Sequence, residues 1–406
     1  GTLRGGPTLA RSLLDGGYRT LAATSVIHLD PGFGFGDGFA RFAACEGGLR
    51  GWLRPARPFL LPKILLRTLG AGRPARPGRE TLERARALWV EAEPDRPRFL
   101  WVHLFDPPRP YTPEGGPRTA PPRRAAPTPR GGPAEIARLR RLYDGEIRDV
   151  RALLAGFLAE LRADSAARGR ELVVALTSDH GEALGEHGAS DHGDLPYDEG
   201  LRVPLWVAGP GIPPREVATP YSLTDVGPGL AAWLLGIDPW PTGPLTRRRR
   251  PGVARSGAES FAAALRGEAP AAPGEVLIQT DHGAFRNVAV VRGGWKVIGH
   301  ELVTPETMER KPLPSAGVPA GMPWRGPFEL YDLVADPREL DNLYPERLPR
   351  SGRFEQDPAR QAFGDSLDEI RQRLRELDDW PYRRPEAGVA PEIQDALREL
   401  GYLGDD

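Results

Sequence analysis

ELVVALTSDHGEALGEHGASDHG, residues 171–193, decides the fold. Its first seven residues are a continuous apolar run that stops at a polar loop, the pattern of a strand buried on both faces in a parallel sheet. Asp179 and His180 follow where that strand would end. In open α/β sheets ligands bind beyond the carboxyl ends of the strands, so this loop is the expected place for chemistry. A carboxylate beside an imidazole suits a divalent cation, with the oxygen as a hard ligand and the neutral nitrogen as a borderline one. Gly181 lets the backbone turn sharply after the pair. An Asp-His pair alone more often caps a helix and packs locally, so its neighbours must decide.

Upstream, RFLWVHLF (98–105) is a second apolar strand with His103 near its end. The following segment, 106–133, is too rich in Pro and Gly to hold regular structure. Ile136, Leu139, Leu142, Ile147, Val150, Leu153, Leu154, Phe157 and Leu161 predict one long amphipathic helix over 134–163. Residues 8–16 predict a short helix stopped by glycine, 20–26 a buried strand and 79–93 another helix. The glycines of GFGFGDGF (32–39) miss the G-x-G-x-x-G spacing, so that segment reads as a loop. Downstream, 203–211 repeats the strand pattern, and 222–236 is a helix with Ser222 as cap and Gly236 as stop. This alternation over 1–238 predicts an α/β core, a doubly wound, mostly parallel sheet flanked by helices. A Pro/Arg/Gly-rich connection spans 239–273. Short strands at 275–280, 287–293, 294–300 and 328–333 predict a smaller C-terminal antiparallel sheet subdomain over 274–345, before a helical tail at 346–406.

Composition excludes several classes. Of 406 residues, 54 are Lys or Arg and 55 are Asp or Glu, a balance unlike that of a nucleic-acid binder. RRRR at 247–250 therefore reads as a solvated loop. Hydrophobic residues make up 40% and charged residues 27%, the range of a folded globular chain. A single cysteine, Cys45, rules out an internal disulfide framework and reads as a small buried apolar side chain. No apolar run is long enough for a transmembrane helix.

Seven histidines fall at 28, 103, 180, 187, 192, 282 and 300. His103 ends a buried strand and could meet Asp179 in space. His192 lies 13 residues past Asp179 in DHGDLPYDEGLRVPLW. His28 follows a strand and could reach the same cleft. His187 reads as a supporting or exposed residue, His282 and His300 as surface or core, and Glu199 and Arg202 as a local pair.

FLWVHLFDPPRPYTP (99–113), TSDHGEALGEHG (177–188), HGDLPYDEGLRVPLWVAGPG (192–211) and LYDLVADPRELDNL (330–343) together resemble the bacterial sulfatases of the alkaline phosphatase superfamily. LYDGEIRDVRALLAGFLAEL (142–161) and SLTDVGPGLAAWLLGI (222–237) belong to the same series, in family order. The resemblance implies a sulfuric ester hydrolase. Asp179 and His180 would be metal ligands, for Ca2+ in first place and Mn2+ or Mg2+ otherwise. His103 and His192 would be catalytic, contacting the sulfuryl group and protonating the departing oxygen. Lys296 matches a position that supports the fold.

The departures are informative. The family's Cys-or-Ser-x-Pro-x-Arg motif, whose first residue becomes formylglycine, has no match here, nor does its first acidic metal pair. Cys45, in ACEGGLR, does not fit the motif. Pro108 replaces a histidine of the family's DPH-x-PY string. The expectation is that about a hundred residues of the parent domain precede Gly1, with the nucleophile among them. The 406-residue chain would then be inactive by itself. The expected substrate is a small-molecule or carbohydrate sulfate ester, and family habit favours a periplasmic or extracellular site. Hydrolysis of phosphate diesters or phosphonates, and a non-catalytic domain binding anions or sugars, are the alternative readings.

Overall fold

A computed structural model describes residues 7–45, 75–93, 95–106, 111, 133–188, 192–193, 195–237, 257–268, 275–282, 285–303, 310–311, 328–344, 364, 366–367 and 370. Most of 106–133, the RRRR segment and most of the predicted tail lie outside them.

The N-terminal helix α1 (Leu9–Asp15) forms where its ends are satisfied. The Thr8 hydroxyl accepts from the Arg11 amide at 3.0 Å, and Gly16 closes the C-terminus. Gly38, at φ 84°, lets the Gly-rich loop return onto α1. A Cβ there would lie 2.3 Å from the Arg11 nitrogen.

Strand β1 (Arg19–Thr24) is buried at every residue after the first. Parallel strands β2 (Arg41–Ala43) and β3 (Arg98–His103) pair with its two edges, and the register sets Thr24 opposite His103. Helices α2 (Gly78–Glu91) and α3 (Pro133–Ala167) cover this sheet. Leu82, Ala85, Leu88, Trp89, Phe157 and Leu161 pack with Leu21 and Ala23 into one core. The Trp89 indole N–H donates to Asp164 at 2.8 Å, so its polar end is satisfied. The apolar stripe of α3 is covered mainly in its second half; Ile147 is 42% exposed.

The decisive run departs from its reading. Strand β4 (Val174–Thr177) is not part of the parallel sheet and is not buried on both faces. It pairs antiparallel with β5 (Leu205–Ala208), and the two form a sheet of their own. Leu205 and Val207 face helices α5 (Leu223–Leu235) and α6 (Gly257–Leu265). Trp206, paired with Leu176 on the other face, is 67% exposed. A continuous apolar run reports a strand but not its neighbour or the number of covered faces, which long-range contacts set.

Helix α5 keeps its expected ends. Ser222 Oγ accepts from the Thr224 amide, and Gly236 is left-handed at φ 65°. Helix α6 falls inside the segment read as an irregular connection. GAESFAAAL is rich in alanine, and Phe261 and Leu265 pack on Val226 and Leu230. Gly229 permits that approach, since a Cβ there would meet the Phe261 ring at 2.7 Å.

The C-terminal sheet is as read. Strands β6 (Val276–His282), β7 (Phe285–Arg292), β8 (Trp295–Val303) and β10 (Phe328–Asp332) run antiparallel in the order β10-β8-β7-β6, with β9 (Arg310–Lys311) on β8. Alternate residues bury Val288, Val290, Val297 and Leu330 in one core. On the opposite face Ala289, Ile298 and Tyr331 pack with Tyr197, which joins this sheet to the segment carrying the candidate site. No helix among the described residues is long and apolar enough to cross a membrane.

Candidate active site

The ends of β1, β3 and β4 converge. The Ser25 amide donates to the His103 carbonyl at 3.0 Å, fixing the two parallel strands where His103 leaves the sheet. From there His103 Nε2 lies 3.8 Å from Asp179 Oδ2, and His180 Nε2 lies 3.8 Å from Asp179 Oδ1. Both separations are ion-pair contacts, too long for hydrogen bonds. The His192 ring stacks on that of His180, centroids 4.0 Å apart and planes 22° apart. All four residues named from the sequence as site residues thus meet at one place.

Asp179 sits within a field of imidazoles. Desolvation would raise its pKa, but His103 first and His180 next outweigh it and hold the carboxyl well below the usual range. Its side chain is 64% exposed, so solvent screens part of that effect. His28, on the short 3-10 turn after β1, belongs to the same field. Burial lowers its pKa first, the neighbouring His103 lowers it further, and Asp179 opposes them.

Two residues that sequence reasoning did not single out complete the surroundings. Glu182 Oε1 lies 3.5 Å from His192 Nδ1, and the Tyr111 hydroxyl donates to Glu182 Oε2 at 3.0 Å. Glu182 is part of the TSDHGE string, the only signal that could have found it. Tyr111 closes the DPPRPY string of the Pro-rich segment, its one signal.

The fit of a divalent cation can be tested on His180. Its Nδ1–H donates to the Gly181 carbonyl at 2.8 Å, so in the neutral ring the lone pair is on Nε2. That nitrogen faces Asp179 Oδ1, and two electron-rich atoms facing each other favour a cation between them. Asp179 and His180 therefore fit part of a metal shell. No three His, Cys, Asp or Glu among the described residues are already set to hold a metal. The six to eight oxygens that calcium takes would need donors beyond these two side chains.

The remaining histidines serve the fold. His187 is neither exposed nor part of the cleft. It is buried at φ 46°, stacked on Tyr197 at 3.8 Å, with Nδ1 donating to Glu199 at 2.7 Å and Nε2 to the Glu339 carbonyl at 2.9 Å. Glu199 therefore pairs with His187 and not with Arg202. Burial lowers the His187 pKa, but Glu199 and the Glu339 carbonyl outweigh it and leave it raised. Lys296, fully buried, bridges Asp198 at 3.0 Å and Glu339 at 2.6 Å. His300 belongs to the core, between Glu329 at 2.7 Å and Asn287 at 2.8 Å. Cys45 is a buried free thiol whose pKa burial raises, as expected of a packing residue. The His282 side chain lies outside the described residues.

Comparison with known proteins follows the same lines. The chain is 32% identical over 178 residues to a choline-sulfatase of Rhizobium meliloti (strain 1021), a match covering 43% of this chain and 27% of that enzyme. A candidate sulfatase from Bacteroides thetaiotaomicron VPI-5482 shares the fold with a TM-score of 0.53 at 19% identity, covering 96% of this chain and 78% of that one. A protein solved with its substrate D-glucosamine-2-N,6-O-disulfate shares it with a TM-score of 0.55 at 15% identity, covering 95% and 85%. The Sulfatase family model matches residues 3–237, more than half of the sequence, and this chain belongs to the sulfatase family.

Proposed function

We propose that this chain carries the anion-handling and leaving-group part of an enzyme that hydrolyses a small-molecule or carbohydrate sulfate ester. The observation that carries this reading is the convergence of His103, Asp179, His180 and His192 beyond the ends of β3 and β4. A transferring sulfuryl group spreads negative charge over its oxygens, which fixed imidazole donors stabilise. His103, whose Nε2 lies 3.8 Å from Asp179, would present a donor to the ester. His192 would donate a proton to the departing oxygen, a task suited to an imidazole near neutral pH. Asp179 and His180 would hold a divalent cation, Ca2+ or alternatively Mn2+ or Mg2+, whose charge would neutralise sulfuryl oxygens. The formylglycine nucleophile is assigned to sequence outside these 406 residues, since no Cys-or-Ser-x-Pro-x-Arg occurs within them. The resemblance also supports placing the enzyme outside the cytoplasm.

The test is a direct assay of the 406-residue chain. It should bind Ca2+ weakly, lose that binding in Asp179→Asn, and release no sulfate from an aryl sulfate. Turnover comparable to that of an intact sulfatase would show that the nucleophile has been misplaced.

A further inference from the structure

We propose that Glu182 and Tyr111 are positioning residues that hold one hydrogen of His192 on Nδ1, so that the proton given to the departing oxygen is the one on Nε2 and the ring left behind is the Nδ1-protonated neutral form. The inference rests on the leaving-group role assigned to His192 and names what orients that ring. Glu182 follows Asp179 by three residues, on the same loop. Its side chain is only 9% exposed, and its two oxygens are directed to different partners. Oε2 accepts from the Tyr111 hydroxyl at 3.0 Å, while Oε1 lies beside His192 Nδ1 in an ion-pair contact of 3.5 Å.

Tyr111 is itself held. It is 2% exposed, and Tyr143 of α3 meets it edge-on, with centroids 5.4 Å apart and planes at 77°. The Tyr143 phenol is raised by burial first and by its neighbour Glu182 next. Stacking on His180 fixes the plane of the His192 ring, and Glu182 fixes which edge of the ring turns inward.

An ionised carboxylate only accepts hydrogen bonds, so the nitrogen facing it must carry the hydrogen. A neutral imidazole in water favours hydrogen on Nε2, and Glu182 reverses that preference. Tyr111 comes from the Pro-rich segment after β3, so one carboxylate ties this residue to the orientation of the ring. Glu182 thus sets where that hydrogen sits, whatever the charge of the ring.

Long-range 1H–15N spectra of the histidine rings in the 406-residue chain test this at a pH about two units above the ordinary imidazole value. His192 should carry its hydrogen on Nδ1. Glu182→Ala should move it to Nε2, and the conservative Tyr111→Phe should give a mixture of the two. Unchanged His187 and His300 resonances would report an intact fold. A wild-type His192 with its hydrogen on Nε2 overturns the proposal without any variant. So does a ring that stays Nδ1-protonated in a folded Glu182→Ala. An Nδ1-protonated ring that ignores added sulfate supports the positioning and overturns the leaving-group reading alone.

Discussion

Two clusters of histidines and acids flank the segment from 186 to 202, built from the same residue types and finished to different degrees. At the strand ends, the contacts of Asp179 with His103 and His180 are 3.8 Å, and Asp179 is open to solvent. At the junction with the C-terminal sheet, Lys296, Glu339, His300 and Glu329 have fully buried side chains, with ion pairs of 2.6 and 2.7 Å. Glu329 also accepts from the Tyr197 and Tyr331 hydroxyls, and Asn287 donates to Thr280 at 2.9 Å. The junction satisfies its own donors and acceptors, as a buried polar network must. The strand-end cluster keeps its separations long and its charge accessible, the condition of groups that have something else to bind. Histidine beside carboxylate is therefore not by itself a sign of function. Closure of the contacts separates the two roles.

The largest expected effect falls on the closed cluster. Lys296→Met removes the cation between Asp198 and Glu339 and should cost about 3–5 kcal/mol, read by denaturant unfolding. A loss below about 1 kcal/mol would mean that the junction is not the closed network described. His300→Ala should cost less, about 1–3 kcal/mol, because Glu329 keeps its two tyrosine donors.

A pH dependence follows from His187. Both of its nitrogens donate to acceptors, so the folded state favours the charged ring and its pKa is raised. That stabilisation is complete below the unfolded value of about 6.5 and is lost as pH rises through the higher folded value. Burial raises the Glu339 carboxyl more than Lys296 lowers it, which gives a loss of the same sign at lower pH. The melting temperature should fall as pH rises past about 6.5, and His187→Gln should flatten that part of the curve. A profile unchanged by the substitution would contradict the assignment. The smallest effect on stability belongs to the open cluster. Asp179→Asn should change it by no more than about 0.5 kcal/mol while removing cation binding.

The sequence made the strand ends legible because their signals are local. An apolar run that stops at Ser178-Asp179-His180 needs no distant partner to be read, and neither do Ser222 and Gly236 at the ends of α5. The junction was not legible. His187 meets the carbonyl of Glu339, 152 residues away, and Lys296 meets Asp198 across 98. Such pairs leave no pattern in either segment. The same limit explains why β4 reads as a strand buried on both faces in a parallel sheet yet pairs antiparallel with β5. It also explains why the DPPRPY string shows Tyr111 but not its contact with Glu182, 71 residues away. Helix α6 was hidden differently, by flanking Pro and Gly that mask a short alanine-rich run.

The most direct test of the central claim is a sulfate titration of the 406-residue chain in the presence of Ca2+, followed by the ring resonances of its histidines. The account predicts that His103 and His192 respond together, that Asp179→Asn weakens the response, and that His187 and His300 stay still. Sulfate that leaves His103 and His192 unmoved, or that shifts the junction histidines equally, would contradict it.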